Sequence, residues 1–137
     1  MPRTYVPKRL LSDMGPERYG ELLAFCSGYR GKRCRLAEIG GRMARMDRPE
    51  PRLLEEKAGL LSDVHLVERS AREAGGGGWT QALLLCVCEG VPYLALQARG
   101  VLLPTNSHAA WRRAYEDFFR RLDRAKTARD WKAVKLS

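Results

Sequence analysis

The chain is poor in aromatic residues and has no long apolar run, and these two absences limit what it can be. Aromatic side chains make up 8% of its 137 residues and charged ones 30%, which indicates a well-solvated, helix-rich surface. No run approaches the roughly 18 apolar residues of a membrane-spanning helix, and the first residues, MPRTYVPKRLL, are too few and too polar for a secretory signal. We therefore expect a soluble, intracellular protein with no membrane partner.

Signals for catalysis and for cofactor binding are also absent. The two histidines, His65 and His108, lie far apart in the sequence, and carboxylates occur as surface pairs such as Glu55-Glu56. The four consecutive glycines at 75–78 are not followed by the Lys-Ser or Lys-Thr pair of a phosphate-binding loop. Because no nucleophile and base can be paired, the sequence predicts a protein that is not an enzyme and takes no cofactor.

The four cysteines are not spaced as zinc ligands. Cys26 and Cys34 lie eight positions apart, and Cys86 and Cys88 are separated by one residue. Structural zinc sites use close pairs, typically with about two to four residues between the ligands. We therefore expect free thiols, as is usual for an intracellular protein, and no metal site.

Positive charge is concentrated at the two ends of the chain. The formal net charge is +9, and it is distributed as +6 over residues 1–48, −3 over residues 49–98 and +6 over residues 99–137. A strongly basic surface favours a polyanionic partner. The charge pattern is therefore consistent with a polyanionic partner, with a merely basic surface as the alternative, and the final segment is a candidate contact.

The first half of the chain predicts a long helical hairpin over residues 15–74, preceded by a basic flexible arm over residues 1–14. Pro16 is suited to the first turn of a helix, and apolar residues then recur at alternating three- and four-residue steps. The proline-rich segment 47–51 separates two such stripes, as in an antiparallel pair of helices. The same stripes could form the seam of a homo-oligomer.

Glycines mark two irregular points in this hairpin. Lys32 interrupts the apolar stripe of the first helix, and Gly28 and Gly31 flank it, so we expect a bend or break there. The run Gly75–Gly78 ends the second helix and predicts a hinge, because four glycines are costly to hold in a helix.

Residues 79–126 predict a compact three-helix module, followed by a basic tail over residues 127–137. A short leucine-rich helix, for which a buried strand is the alternative, is followed by a tight turn at Gly90, a second short helix after Pro92 and a turn at Gly100. A longer amphipathic helix comes next. This order of elements is that of a helix-turn-helix, and the predicted fold class is all-α.

The final helix has an apolar face and a basic face. Helical spacing places one set of residues in the core: Trp111, Tyr115, Phe118, Phe119 and Leu122. The predicted DNA contacts lie on the other face and at the helix start: Thr105, Asn106, Ser107, His108, Arg112, Arg113 and Arg120. Free N–H groups at the start of a helix attract phosphate, and arginines one turn later can reach phosphates or guanine edges. The alternative is a solvated helix whose arginines pair with carboxylates.

Several stretches of the sequence carry a resemblance to a known family. They are Lys8-Arg9, the segment from Arg18 to Tyr29 with Cys26, Val67–Ala74, Glu89–Leu94 and, after the Pro104 turn, Trp111–Phe119. Together they are similar to small proteins encoded in the late region of Gram-positive prophages, near the packaging genes. Those proteins are in turn similar to phage late-gene activators whose C-terminal domain is like the promoter-binding helix-turn-helix of sigma factors. This chain departs from them in its glycine run and in its longer turn at 101–104.

The resemblance implies a DNA-binding regulator of phage genes, or a component that binds DNA during packaging, in the cytoplasm of a bacterial host. We expect a transcriptional regulator that reads duplex DNA with its last helix. The alternative is a helical assembly protein, such as a small-terminase-like packaging component or an oligomeric adaptor, that docks on RNA polymerase or on packaging proteins. In that case residues such as Leu22, Leu36, Met43 or Leu60 would be buried between subunits.

Overall fold

The computed structural model describes residues 7–102 and 108–136, and within these ranges the chain is helical with no strand, which confirms the all-α fold. The helices are α1 (Lys8–Met14), α2 (Pro16–Ser27), α3 (Tyr29–Met43), α4 (Pro51–Glu73), α5 (Thr80–Glu89), α6 (Tyr93–Ala98) and α7 (His108–Leu136), with a 3-10 turn at Ala74–Gly76. None of the described helices is both long enough and apolar enough to cross a membrane.

Helices α3 and α4 pack side by side in opposite directions. Arg35 pairs with Glu56 at 2.6 Å, and nearer the start of α3 the Lys32 ammonium pairs with Asp63 at 2.9 Å. Helix α4 begins at Pro51, where the missing N–H of proline costs nothing in the first helical turn. These two ion pairs connect the helices over residues 32–35 of α3.

The helical break expected near Lys32 is confirmed, since α2 ends at Ser27 and α3 begins at Tyr29 on the other side of Gly28. Lys32 itself is accommodated by an aromatic ring and a carboxylate. Its ammonium lies 4.2 Å from the centroid of the Phe25 ring, in addition to its ion pair with Asp63. The aliphatic stem thus occupies the apolar position while the charge is neutralised.

One hydrophobic core joins both halves of the chain. Helix α7 lies against α1, α2, α4 and the 3-10 turn, and α5 lies against α2, α3 and α4. Leu10, Leu22, Leu83, Phe118 and Phe119 are fully buried in this core. The helical pair and the C-terminal helices are therefore packed together as one unit.

The structure corrects the expectation for the first residues of the chain, and it is helical near both ends of the described residues. Part of the predicted flexible arm is a helix, α1, because Leu10 is fully buried and anchors it in the core; residues 1–6 lie outside the described residues. The predicted basic tail is also helical, because α7 runs on to Leu136. Within that extension Arg129 reaches across to Asp63 and Ser62 of α4, which holds this part of α7 against the protein.

The glycine run is a fixed turn rather than a free hinge. Gly75 has a φ of 63°, and its amide donates a hydrogen bond of 2.9 Å to Asp117 of α7. A Cβ at Gly75 would lie 2.8 Å from the Cβ of Ala114 and 2.9 Å from Cδ1 of Trp79. The absence of a side chain therefore allows α7 to pack directly on the end of α4.

Candidate nucleic-acid interface

Two left-handed glycines shape the short helices before α7. Gly90 has a φ of 70° and ends α5, with its amide donating to the carbonyl of Cys86 at 3.1 Å. Gly100 has a φ of 73° and ends α6, where the Val101 amide donates to the carbonyl of Leu96 at 3.0 Å. Both are glycine-terminated helix ends, at the two turns indicated by the sequence.

Helix α6 contacts the first turn of α7 through the Tyr93 ring. The centroid of this ring lies 4.4 Å from that of His108 and 6.2 Å from that of Trp111. The connection between the two helices includes the predicted contact residues Thr105, Asn106 and Ser107, which lie outside the described residues. What the structure describes of the candidate site therefore begins at His108.

The apolar face predicted for α7 is confirmed. Its members are buried in the core: Trp111, Tyr115, Phe118, Phe119 and Leu122. Tyr115 and Tyr19 of α2 share a hydrogen bond of 2.6 Å between their hydroxyls. Burial raises the pKa of Tyr115, and its hydrogen bond with Tyr19 raises it further; burial also raises the pKa of Tyr19, so this pair stays uncharged.

The opposite face of the first two turns is exposed and basic. His108, Arg112 and Arg113 are all exposed, and Nη2 of Arg112 lies 3.3 Å from Nδ1 of His108. Arg113 forms no ion pair within residues 7–102 and 108–136. The first carboxylate on this helix is Glu116, whose side chain is largely buried and faces Arg120 at 3.7 Å. Three of the predicted contact residues therefore lie together on one accessible face.

Arg120, the remaining predicted contact residue, is used within the fold. Its guanidinium pairs with Asp13 of α1 at 2.9 Å and with Glu116 of its own helix at 3.7 Å. The ion pair with Asp13 joins two helices whose residues are 107 positions apart in the sequence. Because its charge is neutralised by these carboxylates, we leave Arg120 out of the interface.

Seven other arginines are also paired within the fold. Carboxylate partners are found for Arg18, Arg30, Arg33, Arg35, Arg69, Arg121 and Arg129. Among the described residues, the cations with no ion pair are Lys8, Arg9, Arg42, Arg45, Arg48, Arg52, Lys57, Arg72, Arg99, Arg113, Arg124 and Lys132. Four of these arginines, at positions 42–52, surround the turn between α3 and α4. Helical periodicity does not reveal this group, because it lies at a turn.

Two of the four cysteines, Cys26 and Cys86, are held as protonated thiols by their surroundings. All four are free thiols, and Cys26 is buried in the core. A hydrogen bond with the Cys88 thiol, together with burial, raises the pKa of Cys26, and burial raises the pKa of Cys86 to about 11. Such thiols are protonated near neutral pH. In the described parts of the chain, no three potential ligands are arranged to hold a metal ion.

Comparisons of this chain with protein-family models, with curated proteins and with solved structures find no match. Its function therefore has to be inferred from its own surfaces.

Proposed function

We propose that the protein binds duplex DNA through the first two turns of α7 and acts as a transcriptional regulator of phage or prophage origin. This proposal places it in the cytoplasm of a bacterial host, where RNA polymerase or phage packaging proteins would be further partners. It is supported by the net charge of +9 and by the exposed basic face formed by His108, Arg112 and Arg113. Counterion release on binding phosphates is the main source of affinity for such a face.

The observation that carries the proposal is the difference between Arg113 and the arginines further along the same helix. Arg120 and Arg121 each contact a carboxylate of another helix, Asp13 and Glu73 respectively. Arg113 contacts none among the described residues. An exposed arginine that forms no ion pair keeps its guanidinium available for a phosphate or a guanine edge.

The position of these turns also favours DNA binding. Helices α4 and α7 run in opposite directions, and the end of α4 is level with Asp117, since Asp117 accepts the hydrogen bond from the Gly75 amide. Arg112 and Arg113 lie about one helical turn before that point, so they stand beyond the end of α4. The face opposite them is held in the core by Trp111 and Tyr115, which fixes the direction in which the arginines project.

The proposal is tested by replacing both arginines, Arg112→Ala with Arg113→Ala, and measuring binding to random and genomic duplex fragments over a range of salt concentrations. We expect a strong decrease of affinity and a decrease of the salt slope by up to about two, one for each phosphate that the variant no longer neutralises. The matched control is Arg30→Ala with Arg69→Ala, which changes the net charge equally at exposed residues on other helices.

Each outcome has a separate meaning. If the parent protein binds no duplex even at low salt, DNA binding is refuted. If the parent binds and the Arg112/Arg113 variant binds as tightly as the control variant, the protein binds DNA but not through α7.

An assembly role is the second candidate, and exposed apolar side chains favour it. Leu54 near the start of α4 is 46% exposed, and Trp131 and Val134 near the end of α7 are 61% and 68% exposed. Because α4 and α7 are antiparallel, these residues lie toward the same end of the molecule. Leu22, expected at a subunit interface under this hypothesis, is instead buried within the chain's own core. Light scattering on the purified protein, with Leu54→Ser and Trp131→Ser variants, tests whether this end mediates self-association.

A further inference from the structure

The turn between α3 and α4 carries a dense group of exposed arginines. We call residues 42–52 the hairpin tip; its four arginines are Arg42, Arg45, Arg48 and Arg52. The backbone of the turn is ordered by hydrogen bonds from the Arg45 amide to the Arg42 carbonyl at 3.1 Å and from the Met46 amide to the Met43 carbonyl at 3.2 Å. Met46, within this turn, is half-buried. The tip therefore presents its arginines from a defined backbone.

The charge of the hairpin tip is offset only in part by the helices beneath it, since the charge of Arg42, after the hydrogen bond from Arg35, helps to lower the pKa of Glu56. Within the described ranges none of the four tip arginines forms an ion pair. Of the carboxylates on the adjoining turns of α3 and α4, Glu38 and Glu56 are bound by Arg35, at 3.1 and 2.6 Å, and Glu55 lies three positions after Arg52. The tip itself contains Asp47 and Glu50, which leaves it with a net charge of +2. It is thus a second basic surface, separate from the one on α7.

The two basic surfaces lie at opposite ends of α4. This helix has 23 residues and starts at the tip. Its far end is level with Asp117 of α7, and Arg113 lies one helical turn beyond. At 1.5 Å per residue, the two surfaces are separated by roughly 35–40 Å along the axis of α4. The backbone of B-DNA returns to the same face of the duplex after about 34 Å, which is close to this separation.

We propose that the hairpin tip is a second phosphate-binding surface, which contacts the same duplex about one helical turn away from the contact made by α7. This inference rests on the proposed function. A single protein would then cover a longer stretch of DNA than contact through α7 alone would. The tip arginines would position the protein on the DNA backbone and would not recognise bases, because phosphate contacts carry no direct sequence information.

The experiment compares three proteins: the parent, a tip variant (Arg45→Gln with Arg48→Gln) and a charge-matched control variant (Arg30→Gln with Arg69→Gln). Binding is measured on a 10-base-pair hairpin duplex, roughly 34 Å long, and on a 24-base-pair duplex, roughly 80 Å long, across a salt series. On the longer duplex we expect the tip variant to bind at least about fivefold more weakly than the control, with its salt slope lower by up to about two. On the shorter duplex we expect the two variants to bind alike. Thermal melting checks that both fold as the parent does.

The alternatives give distinct results. If the tip variant binds the longer duplex as tightly as the control does, the hairpin tip is not a second DNA-binding surface. If its affinity decreases equally on both duplexes, the two surfaces do not contact the duplex one helical turn apart. Neither result refutes DNA binding by α7, which is read from the Arg112/Arg113 variant on the shorter duplex. Failure of the parent to bind either duplex refutes the proposed function itself.

Discussion

The first two turns of α7 and the middle of the same helix are both rich in arginine, but the fold uses the two regions differently. In the middle, Arg120 and Arg129 contact carboxylates of α1 and α4, and so they hold α7 to its neighbours. In the first turns, Arg113 has no ion pair among the described residues. The difference shows that an arginine-rich helix can be structural over one part and available for a ligand over another. What decides between them is whether another helix brings a carboxylate within reach.

The largest expected effect comes from the buried side of the middle region. Phe118 is fully buried and stacks edge-to-face with Phe119 at a centroid distance of 5.0 Å. Because its removal leaves a cavity, Phe118→Ala should lower the free energy of unfolding by about 3–5 kcal/mol. Urea denaturation followed by circular dichroism measures this. A decrease below about 1 kcal/mol would mean that α7 does not organise the core.

The next largest effect on stability is expected at the glycine turn on which α7 packs at the end of α4. Gly75→Ala puts a methyl group against Ala114 and Trp79 at a positive φ, so we expect the free energy of unfolding to fall by about 2–4 kcal/mol from overpacking and strain. Gly76 has a φ of 83° but open space around its Cβ position, so Gly76→Ala is the matched control and should cost only about 1–2 kcal/mol. Equal effects of the two substitutions in urea denaturation would contradict the close packing of α7 on this turn.

A smaller, pH-dependent effect is expected at Asp63, which binds Lys32 of α3 and Arg129 of α7. Burial alone would raise the pKa of this carboxyl, but the hydrogen bonds from Lys32 and Arg129 outweigh burial and lower it. A lowered folded-state pKa means that the carboxylate stabilises the protein above its unfolded pKa of about 3.9, and that this stabilisation disappears as the pH falls through the folded value. Asp63→Asn should therefore cost about 1–2 kcal/mol at pH 7 and much less at acid pH.

Denaturant unfolding at several pH values between neutrality and about pH 3 measures this difference. If the stability curves of parent and Asp63→Asn stay parallel over that interval, the ion pairs of Asp63 do not contribute as described.

The smallest expected effect on stability is at the proposed interface. Arg112→Ala with Arg113→Ala should change the free energy of unfolding by no more than about 0.5 kcal/mol, because these side chains are exposed. The matched pair is Arg120→Ala with Arg121→Ala, which breaks ion pairs between helices and should cost about 1 kcal/mol. If the free energy of unfolding falls more for the Arg112/Arg113 variant than for the Arg120/Arg121 variant, the first turns of α7 contribute more to stability than its middle, contrary to the structure described above.

Local pattern was enough to predict the parts of the fold that depend on near neighbours in sequence. The spacing of Trp111, Tyr115 and Phe118 identified a buried helix face, since helical periodicity alone places them together. Gly28 identified a helix break, because glycine is costly within a helix. The glycine turns at Gly90 and Gly100 follow from the same kind of local rule.

The remaining features depend on contacts between distant residues. Nothing near Arg120 in the sequence shows that Asp13 neutralises it, so this use of its charge could not be predicted. Helix α1 was missed because seven residues give too short a periodic signal, and its formation depends on Leu10 entering a core made mostly by later helices. The fixed turn at Gly75 likewise requires Ala114 and Asp117, about forty positions later. The site on α7 stays a prediction of the sequence that the exposed face supports.

The shared core has a consequence for how the protein is made. Leu10 of α1, Leu22 of α2 and Leu83 of α5 are covered in the same cluster that contains Phe118, Phe119 and Leu122 of α7. A ribosome delivers α7 after all the other helices, so the apolar faces of the nascent chain stay open until residues 111–122 have emerged. During that interval they are accessible to chaperones and to other nascent chains. The helix proposed to meet DNA is thus also the one whose arrival completes folding.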